Sequence, residues 1–305
     1  MVIRAHETSG SMLYDICCIG HITLDKIITG NTTVHMPGGT SFYFSHALAR
    51  MDVRYLLVTA LAETEMHAVR DLEDQGIRVK RLPSKQTVYF ENIYSPNQDE
   101  RSQRVLQEAD LFSAEQLTEV AARIFHLGPL LAGDMPAALI KALAAKAKVS
   151  LDVQGFLRKV EKNRVLPVDW AEKKEILPCI HYLKASEQEM EVLTGQCDVQ
   201  LGAKILAGWG AKEVIITRGS QGSVVYFEDV FYTIPAFPPR RVVDATGCGD
   251  TYMAGYLYQR LKGAGIQQAA AFAAAMATLK IESSGPFTGT AARVQALIQN
   301  PARTV

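Results

Sequence analysis

The sequence lacks the features that mark several classes of protein. Its five cysteines show neither CxxC nor Cys/His ligand spacing, which argues against a disulfide framework or a zinc site and favours reduced, mostly buried thiols in a cytoplasmic protein. The formal net charge is zero and no run of lysine and arginine forms a basic arm, so we do not expect nucleic acid as a partner. The sequence has no stretch of about eighteen uninterrupted apolar residues, so no membrane-spanning helix is predicted.

The remaining pattern indicates an α/β protein. Of the 305 residues, 48% are hydrophobic, which is enough for one sizeable domain or two small ones. YDICCIG and VSLDV predict strands, whereas TSFYFSHALARM and the proline-started DMPAALIKALAAKAK predict helices. SAEQLTEVAARIF also has a helical pattern, with Ser113 as cap and Gln116 in the capping-box position, and FHLGPL follows as a strand.

Strands and helices therefore alternate, which predicts a mostly parallel sheet with helices on both faces. Ligands of such sheets bind beyond the carboxyl ends of the strands. The segment after the first strand, CIGHITLD, has a single glycine and no GxGxxG, which argues against a dinucleotide-dependent dehydrogenase.

The most informative segment is VVDATGCGDTYMAGYLYQRL, residues 242–261, where an apolar run meets a glycine turn, an acid and a helix-patterned stretch. Gly247 and Gly249 leave main-chain N–H groups accessible at a helix N-terminus, which suits an anion such as a phosphoryl group. Asp250 could simply cap the helix, or it could accept a proton from a substrate hydroxyl. The turn alone leaves both roles open.

The pattern D-x-T-G-x-G-D before an apolar helix resembles the C-terminal signature of the PfkB family, the ribokinase-like carbohydrate and nucleoside kinases. The resemblance implies that Asp250 is the catalytic base and that the backbone of Gly247, Cys248 and Gly249 forms an anion hole. It implies a three-layer α/β/α fold with a mostly parallel central sheet and a small β-sheet lid. It also implies ATP and Mg²⁺ as cofactors.

An N-terminal pattern strengthens the resemblance. HITLD follows the first strand and PGG opens the next helix, at places where family members line the sugar pocket with an acid and paired glycines. Asp25, Gly38 and Gly39 are therefore expected to bind substrate. Without the second signature, a turn residue and a flexible corner would be the favoured explanation.

The substrate pocket is expected to differ from that of ribokinases. Tyr43 stands where ribokinases usually carry an Asn that binds the sugar, so Tyr43 becomes a candidate substrate contact and ribose is in doubt. The flanking Phe42 and Phe44 could line the pocket, but a core position is favoured for at least one of them.

The segment LDVQGFLR places Asp152, Gln154 and Arg158 where family members carry an acid, an amide and an arginine. Together with the segment GGTSF it resembles a PfkB subgroup that includes plant inositol kinases. An inositol-like polyol is therefore the leading expectation for the small-molecule acceptor. A nucleoside kinase of the same family and a catalytically silent sugar-binding protein on this fold are the alternatives.

Three further segments resemble parts of an ATP site. Ser186 and Glu189 of SEQEMEVLTG stand for the family's N-x-x-E, whose Glu acts on magnesium and phosphates through water. S-x-x-E is also a capping box, and both roles can hold. Lys184 could contact phosphate or be solvated. The alanine-rich AAAFAAAMATLK predicts a helix near which family members place adenine, although packing alone explains its small residues.

EVIITRGSQGSVVYF predicts a strand, a glycine turn and a second strand, and the resemblance places such a turn beside the nucleotide phosphates. The candidates there are Thr217, Arg218, Gly219 and Gly222, of which the last also suits the hairpin. The resemblance also allows a monovalent cation such as K⁺ near Asp244 and Thr246. Because the acids, Thr217 and the glycine turn all follow strand-like runs, we expect them to meet in one crevice.

Residues 86–110 predict two extended segments joined by a Pro-Asn turn. In the family, this region and the segment after the first strand form a lid over the sugar, and often a dimer contact. The resemblance therefore allows a homodimer through the lid. Arg101 and Arg104 could reach the pocket or face solvent. The predicted organisation is a kinase domain over 14–295, lid segments near 22–37 and 86–108, and tails at 1–13 and 296–305.

Overall fold

The computed structural model describes residues 12–29, 32–94 and 101–300. In chain order its strands are β1 (Leu13–Ile19), β2 (Thr23–Thr29), β3 (Thr32–Gly38), β4 (Tyr55–Leu61), β5 (Arg78–Pro83), β6 (Val88–Tyr94), β7 (Arg101–Gln107), β8 (Ala121–Leu127), β9 (Lys148–Asp152), β10 (Arg158–Glu161), β11 (Arg164–Pro167), β12 (Tyr182–Ser186), β13 (Glu213–Thr217), β14 (Ser223–Phe227) and β15 (Val230–Ile234). Its α-helices are α1 (Thr40–Leu48), α2 (Met66–Asp74), α3 (Ala137–Ala144), α4 (Lys173–Ile176), α5 (Glu187–Thr194), α6 (Val199–Gly208), α7 (Cys248–Leu261), α8 (Ile266–Ile281) and α9 (Ala291–Gln299).

The main sheet has the strand order β15-β14-β13-β12-β9-β8-β1-β4-β5. Every neighbouring pair from β13 to β5 is parallel, and β14 and β15 form an antiparallel edge. In β1, Ile16 and Cys18 belong to one hydrophobic core, whereas Cys17 and Ile19 belong to the other. Because both faces of a parallel sheet are covered, its strands are continuous apolar runs, as in YDICCIG.

Helices cover both faces of the main sheet. The core on one face includes side chains of α1, α2, α7, α8 and α9, and the core on the other includes α3, α4, α5 and α6. The predicted three-layer α/β/α arrangement is therefore confirmed. Within the described ranges, none of the helices has the length and apolar character needed to cross a membrane.

A second sheet of six strands has the order β10-β11-β7-β6-β2-β3. We call it the small sheet. It contains the segments that the sequence predicts to be extended, and it also contains the hairpin of β10 and β11, which the sequence analysis missed. Lys162 and Asn163 turn this hairpin with φ values of 49° and 65°, a left-handed pair that suits a two-residue β-turn. The predicted Pro-Asn turn lies outside the described residues.

One predicted helix and one predicted tail differ from the structure. SAEQLTEVAARIF is not a helix: the N–H of Ser113 does donate to Gln116 Oε1 (2.9 Å), but only a short 3₁₀ turn follows, and the end of the segment lies in β8. Pairing with β1 and β9 buries that strand and overrides the local helical pattern. At the other end, α9 continues past residue 295 to Gln299 and buries Val294 and Leu297, so the helix belongs to the domain. Residues 1–11 and 301–305 of the predicted tails lie outside the described residues.

Candidate active site

Several predicted site residues lie at one edge of the main sheet. Asp152 ends β9, Ser186 ends β12 and Thr217 ends β13. Because these strands are parallel, their carboxyl ends meet at the same edge. The glycine turn, residues 247–249, reaches this edge too, since a side chain added at Gly249 would lie 3.2 Å from Nζ of Lys184 on β12.

The glycine turn has a conformation that requires glycine at its first position. Gly247 is the N-cap of α7 and has φ of 74°, in the left-handed region. A Cβ there would lie 2.2 Å from Cγ and Cδ1 of Tyr43, so the aromatic ring packs directly on the turn. The Cys248 N–H donates to the Ala245 carbonyl (3.2 Å) and is occupied within the turn. The N–H groups of Gly249 and the residue after it lie in the first turn of the helix, where no intrahelical acceptor exists.

The Cys248 side chain does not take part in this surface. Its Sγ contacts the carbonyl of Ala277 on α8 (3.8 Å), and burial raises the pKa of the thiol to about 11. The thiol is therefore neutral near neutral pH. The predicted backbone donor of Cys248 differs from the structure, because its N–H already donates to the Ala245 carbonyl.

Asp250 is a buried carboxyl group with an unusual pKa. Burial raises the pKa of Asp250 to about 7, and the nearby carboxylate of Asp152 adds to this effect. Lys184, a hydrogen bond from Thr40 and the charge of Arg158 lower the pKa without cancelling the rise. Such a group can exchange a proton near neutral pH, as a general base must.

Thr40, which the sequence analysis missed, connects the two halves of the site. Gln154 Nε2 donates to Thr40 Oγ1 (2.7 Å), so the hydroxyl proton of Thr40 is left to donate to Asp250. Gly128 leaves room for the threonine side chain, because a Cβ there would lie 2.5 Å from Thr40 Cγ2. The available signal was its position as the first helical residue after Gly39.

Lys184 is a buried cation rather than a solvated one. Its ammonium donates to Asp152 Oδ2 (2.8 Å) and lies 3.9 Å from Glu189 Oε2. Burial alone would lower the pKa of Lys184, but the carboxylates of Asp152 and Glu189 outweigh burial and raise it. The glycine turn therefore has a permanent positive charge beside it.

Ser186 and Glu189 form the predicted capping box at the start of α5. The Ser186 N–H donates to Glu189 Oε2 (2.7 Å), and the Glu189 N–H donates to Ser186 Oγ (3.2 Å). In residues 12–29, 32–94 and 101–300, no group of three or more His, Cys, Asp and Glu side chains could hold a metal ion. A magnesium ion would therefore need phosphate oxygens and water as most of its ligands, which is its usual mode in such sites.

The turn between β13 and β14 lies beside the start of α5. The Thr217 hydroxyl donates to a carbonyl of β12 (3.5 Å), and Arg218 Nε lies 3.5 Å from Glu187 Oε1. Gly219 opens a short 3₁₀ turn with φ of 55°, and the carbonyl of Gly222 accepts from the Arg218 N–H (2.8 Å). Gly222 thus closes the hairpin, while the phosphate contacts expected of this turn stay a prediction.

Asp25 lies on β2 of the small sheet and is held there by its neighbours. Thr23 Oγ1 donates to Asp25 Oδ1 (2.7 Å). A Cβ at Gly38 would lie 2.5 Å from Asp25 Oδ2, so the glycine provides the room that the carboxylate occupies. Gly39 then turns the chain into α1 with φ of 89°. The paired glycines are therefore required by this corner.

Tyr43 supports the glycine turn. Its side chain is 3% exposed and its ring lies on Gly247, whereas the predicted contact of Tyr43 with substrate stays a prediction. Phe42 and Phe44 are both buried in the core, as the sequence favoured for at least one of them.

The two arginines that could reach the pocket, Arg101 and Arg104, lie on β7 of the small sheet. Arg104 Nη1 lies 3.3 Å from Glu91 Oε2, and Lys26 Nζ lies 3.0 Å from Glu91 Oε1. Arg104 is therefore engaged within the small sheet. The side chain of Arg101 lies outside what the structure describes.

The structure differs from the predicted monovalent-cation site near Asp244 and Thr246. The Thr246 N–H does donate to Asp244 Oδ1 (2.9 Å), but Lys280 Nζ lies 2.8 Å from the Asp244 carbonyl oxygen and 3.0 Å from Asp244 Oδ2. An ammonium group already contacts the oxygens that a K⁺ ion would need. These residues therefore do not fit a monovalent ion.

Comparisons with known proteins identify kinase relatives of this chain. The family model described as pfkB family carbohydrate kinase matches residues 10–292. A cytidine kinase from Thermococcus kodakarensis is 28% identical over 273 residues, which cover 84% of this chain and 92% of that protein. An inositol 3-kinase from Arabidopsis thaliana is 24% identical over 285 residues, covering 88% and 74%.

Solved structures show the same relationship. A pyrophosphate-dependent kinase in the ribokinase family, complexed with a pyrophosphate analog and myo-inositol, has a TM-score of 0.81 and 28% identity, with 92% of this chain and 99% of that chain covered. A ribokinase from Arabidopsis thaliana, complexed with ribose and ATP, has a TM-score of 0.79 at 20% identity, with 94% and 99% covered, which supports the ribokinase-like fold. With the family model spanning nearly the whole chain and the kinase relatives covering most of it, the chain belongs to the pfkB family of carbohydrate kinases, which transfer a phosphoryl group to an alcohol.

Proposed function

We propose that the protein transfers the γ-phosphoryl group of ATP to a hydroxyl of an inositol-like polyol, with Asp250 as the base. The observation that carries the proposal is the buried Asp250 carboxyl, whose pKa is raised to about 7, beside a glycine turn and a buried lysine. Family membership gives the reaction class, and the geometry supports the roles that we propose for these residues.

The chemistry follows from these positions. Asp250 accepts the proton of the acceptor hydroxyl as the new O–P bond forms, and the bond from the γ-phosphorus to the bridging oxygen breaks, releasing ADP. The N–H groups of Gly249 and Asp250 and the ammonium of Lys184 stabilise the negative charge on the transferring group. Mg²⁺, when bound with the nucleotide, would be held through water by Glu189 and would neutralise phosphate charge.

The polar lining on the acceptor side supports a polyol. Thr40 donates to Asp250 and accepts from Gln154, and we propose that these hydroxyl and amide groups, together with the carboxylate of Asp25, bind the hydroxyls of a polyol ring. Similar solved structures include enzymes whose names specify myo-inositol. A nucleoside is the second candidate, because the similar protein from Thermococcus kodakarensis is a cytidine kinase.

We propose that the small sheet closes over the acceptor, because phosphoryl transfer to water competes unless water is excluded. Arg158, at the start of β10 in the small sheet, is near enough for its charge to lower the pKa of Asp250, and we propose that Asp25 on β2 also faces the acceptor. A homodimer through the small sheet is a further proposal, which light scattering of the purified protein tests directly.

The deciding experiment is a transfer assay with a panel of acceptors and two donors. Purified protein is given ATP with Mg²⁺, or pyrophosphate with Mg²⁺, because similar structures include pyrophosphate-dependent kinases. The acceptors are myo-inositol, ribose, fructose and cytidine. We expect ATP with myo-inositol to give the highest kcat/KM. A preference for cytidine would replace the polyol proposal, and transfer from pyrophosphate alone would replace ATP. Binding of an acceptor without any transfer would favour the silent sugar-binding alternative.

A further inference from the structure

Lys280 is the most unusual charged group of the described residues outside the catalytic cluster. It lies in the last turn of α8, and its side chain is fully buried. A lysine in that place ordinarily reaches solvent, since burying an ammonium is costly unless it is paired and hydrogen-bonded. Its ammonium instead donates to the carbonyl oxygen of Asp244 (2.8 Å) and to Asp244 Oδ2 (3.0 Å).

Asp244 has its oxygens engaged by these contacts. Oδ1 accepts from the Thr246 N–H (2.9 Å), and Oδ2 accepts from Lys280 and from the Gly285 N–H (3.3 Å). Burial alone would raise the pKa of Asp244, but the Thr246 N–H and the Lys280 ammonium outweigh burial and lower it. The carboxylate is therefore ionised. A metal cation bound to the same oxygens would face the ammonium at close range, and like charges there repel.

The same ammonium supports the glycine turn from two directions. Through Asp244 it holds the segment that leads directly into Gly247. It also lies 5.8 Å from the centroid of the Tyr43 ring, and that ring packs on Gly247. The position of Lys280 is thus linked to the backbone N–H groups of the anion hole through Asp244 and Tyr43.

We propose that Lys280 is a built-in cation that takes the place of a monovalent metal ion beneath the glycine turn, so that phosphoryl transfer by this protein needs no K⁺. Lys280 is a positioning residue, since it acts through Asp244 and Tyr43. The effect on transfer rests on the proposed function, whereas the effect on cation binding does not.

The test compares K⁺ with tetramethylammonium, which is too large for the site, at matched ionic strength. For the unaltered protein we expect the same kcat and the same melting temperature in both salts. Lys280→Met removes the ammonium and leaves the Asp244 oxygens available. We expect this variant to lose about a hundredfold in kcat in tetramethylammonium, because a displacement of the turn by about 1 Å has that scale of effect. K⁺ or NH₄⁺ should restore kcat and raise the melting temperature of this variant.

Lys262→Met is the matched control, since Lys262 pairs on the surface with Asp52 and lies outside the site. It should respond equally to both salts. A K⁺-dependent rise in melting temperature or kcat of the unaltered protein would overturn the proposal. So would a Lys280→Met variant that keeps full activity without K⁺, or one whose loss neither K⁺ nor NH₄⁺ restores. If that variant does not fold, the unaltered protein decides the question. If no acceptor is phosphorylated, the melting temperatures still decide cation binding, separately from the proposed function.

Discussion

Replacing Gly247 by alanine tests whether the glycine turn is held by the ring beneath it. Gly247 has φ of 74°, and a Cβ would lie 2.2 Å from two atoms of the Tyr43 ring. The left-handed conformation costs an alanine about 1 kcal/mol. Forcing a methyl group into the packed ring costs about 1–3 kcal/mol more. The free energy of unfolding should therefore fall by about 2–4 kcal/mol.

Gly263→Ala is a matched control at the other end of α7. Gly263 has a similar φ of 83°, but a Cβ there would have nothing within 4 Å. It should lose only the conformational part, about 1 kcal/mol, or about 2 °C in melting temperature for a chain of this size. Urea unfolding and kcat are measured for both variants. We expect kcat to fall about a hundredfold for Gly247→Ala alone, because the anion-hole N–H groups move with the turn. Equal stability losses and unchanged kcat in both variants would refute the reasoning.

Three further predictions concern the charges around Asp250. First, kcat/KM should fall about tenfold per pH unit as the pH drops below about 7. The reason is that burial raises the pKa of Asp250 to about 7, and the protonated acid cannot accept the hydroxyl proton. A kcat/KM that stays flat down to about pH 5 would contradict this. Asp152→Asn should shift that limb of the pH profile to lower pH, because the Asp152 carboxylate contributes to the raised pKa of Asp250. Lys184→Gln should shift the limb to higher pH, because the ammonium opposes that rise, and shifts of the same sign in the two variants would show that the limb belongs to another group.

The sequence was most informative where local chemistry decides the structure. The glycine pairs, the capping box of Ser186 and Glu189, and the apolar strands were predictable because each depends on a few neighbouring residues. The order of parallel strands then brings their carboxyl ends together. This is why Asp152 and Lys184, 32 residues apart, form an ion pair at the site.

What the sequence could not show depends on distant contacts. Thr40 and Gln154 are 114 residues apart, and no spacing rule links them. Lys280 has the pattern of a solvated lysine at a helix end, yet its side chain is fully buried and donates to Asp244, 36 residues away. The helix predicted over SAEQLTEVAARIF fails for the same reason, since sheet pairing on both sides of β8 outweighs a local preference. In the missed hairpin, the pair Lys162 and Asn163 was a readable signal, because Asn tolerates the left-handed conformation that a two-residue turn needs.

The central claim is that Asp250 removes the proton of the acceptor hydroxyl, and Asp250→Asn tests it most directly. The amide is nearly isosteric and keeps a hydrogen-bond acceptor for Thr40, so folding and nucleotide binding should stay close to those of the unaltered protein. The decisive measurement is single-turnover phosphoryl transfer, with nucleotide affinity measured by calorimetry. Asp52→Asn is the control, because the Asp52 side chain is 95% exposed. We predict a loss of about a hundredfold or more in the transfer rate with unchanged nucleotide affinity. A transfer rate within about threefold of the unaltered protein would contradict the claim.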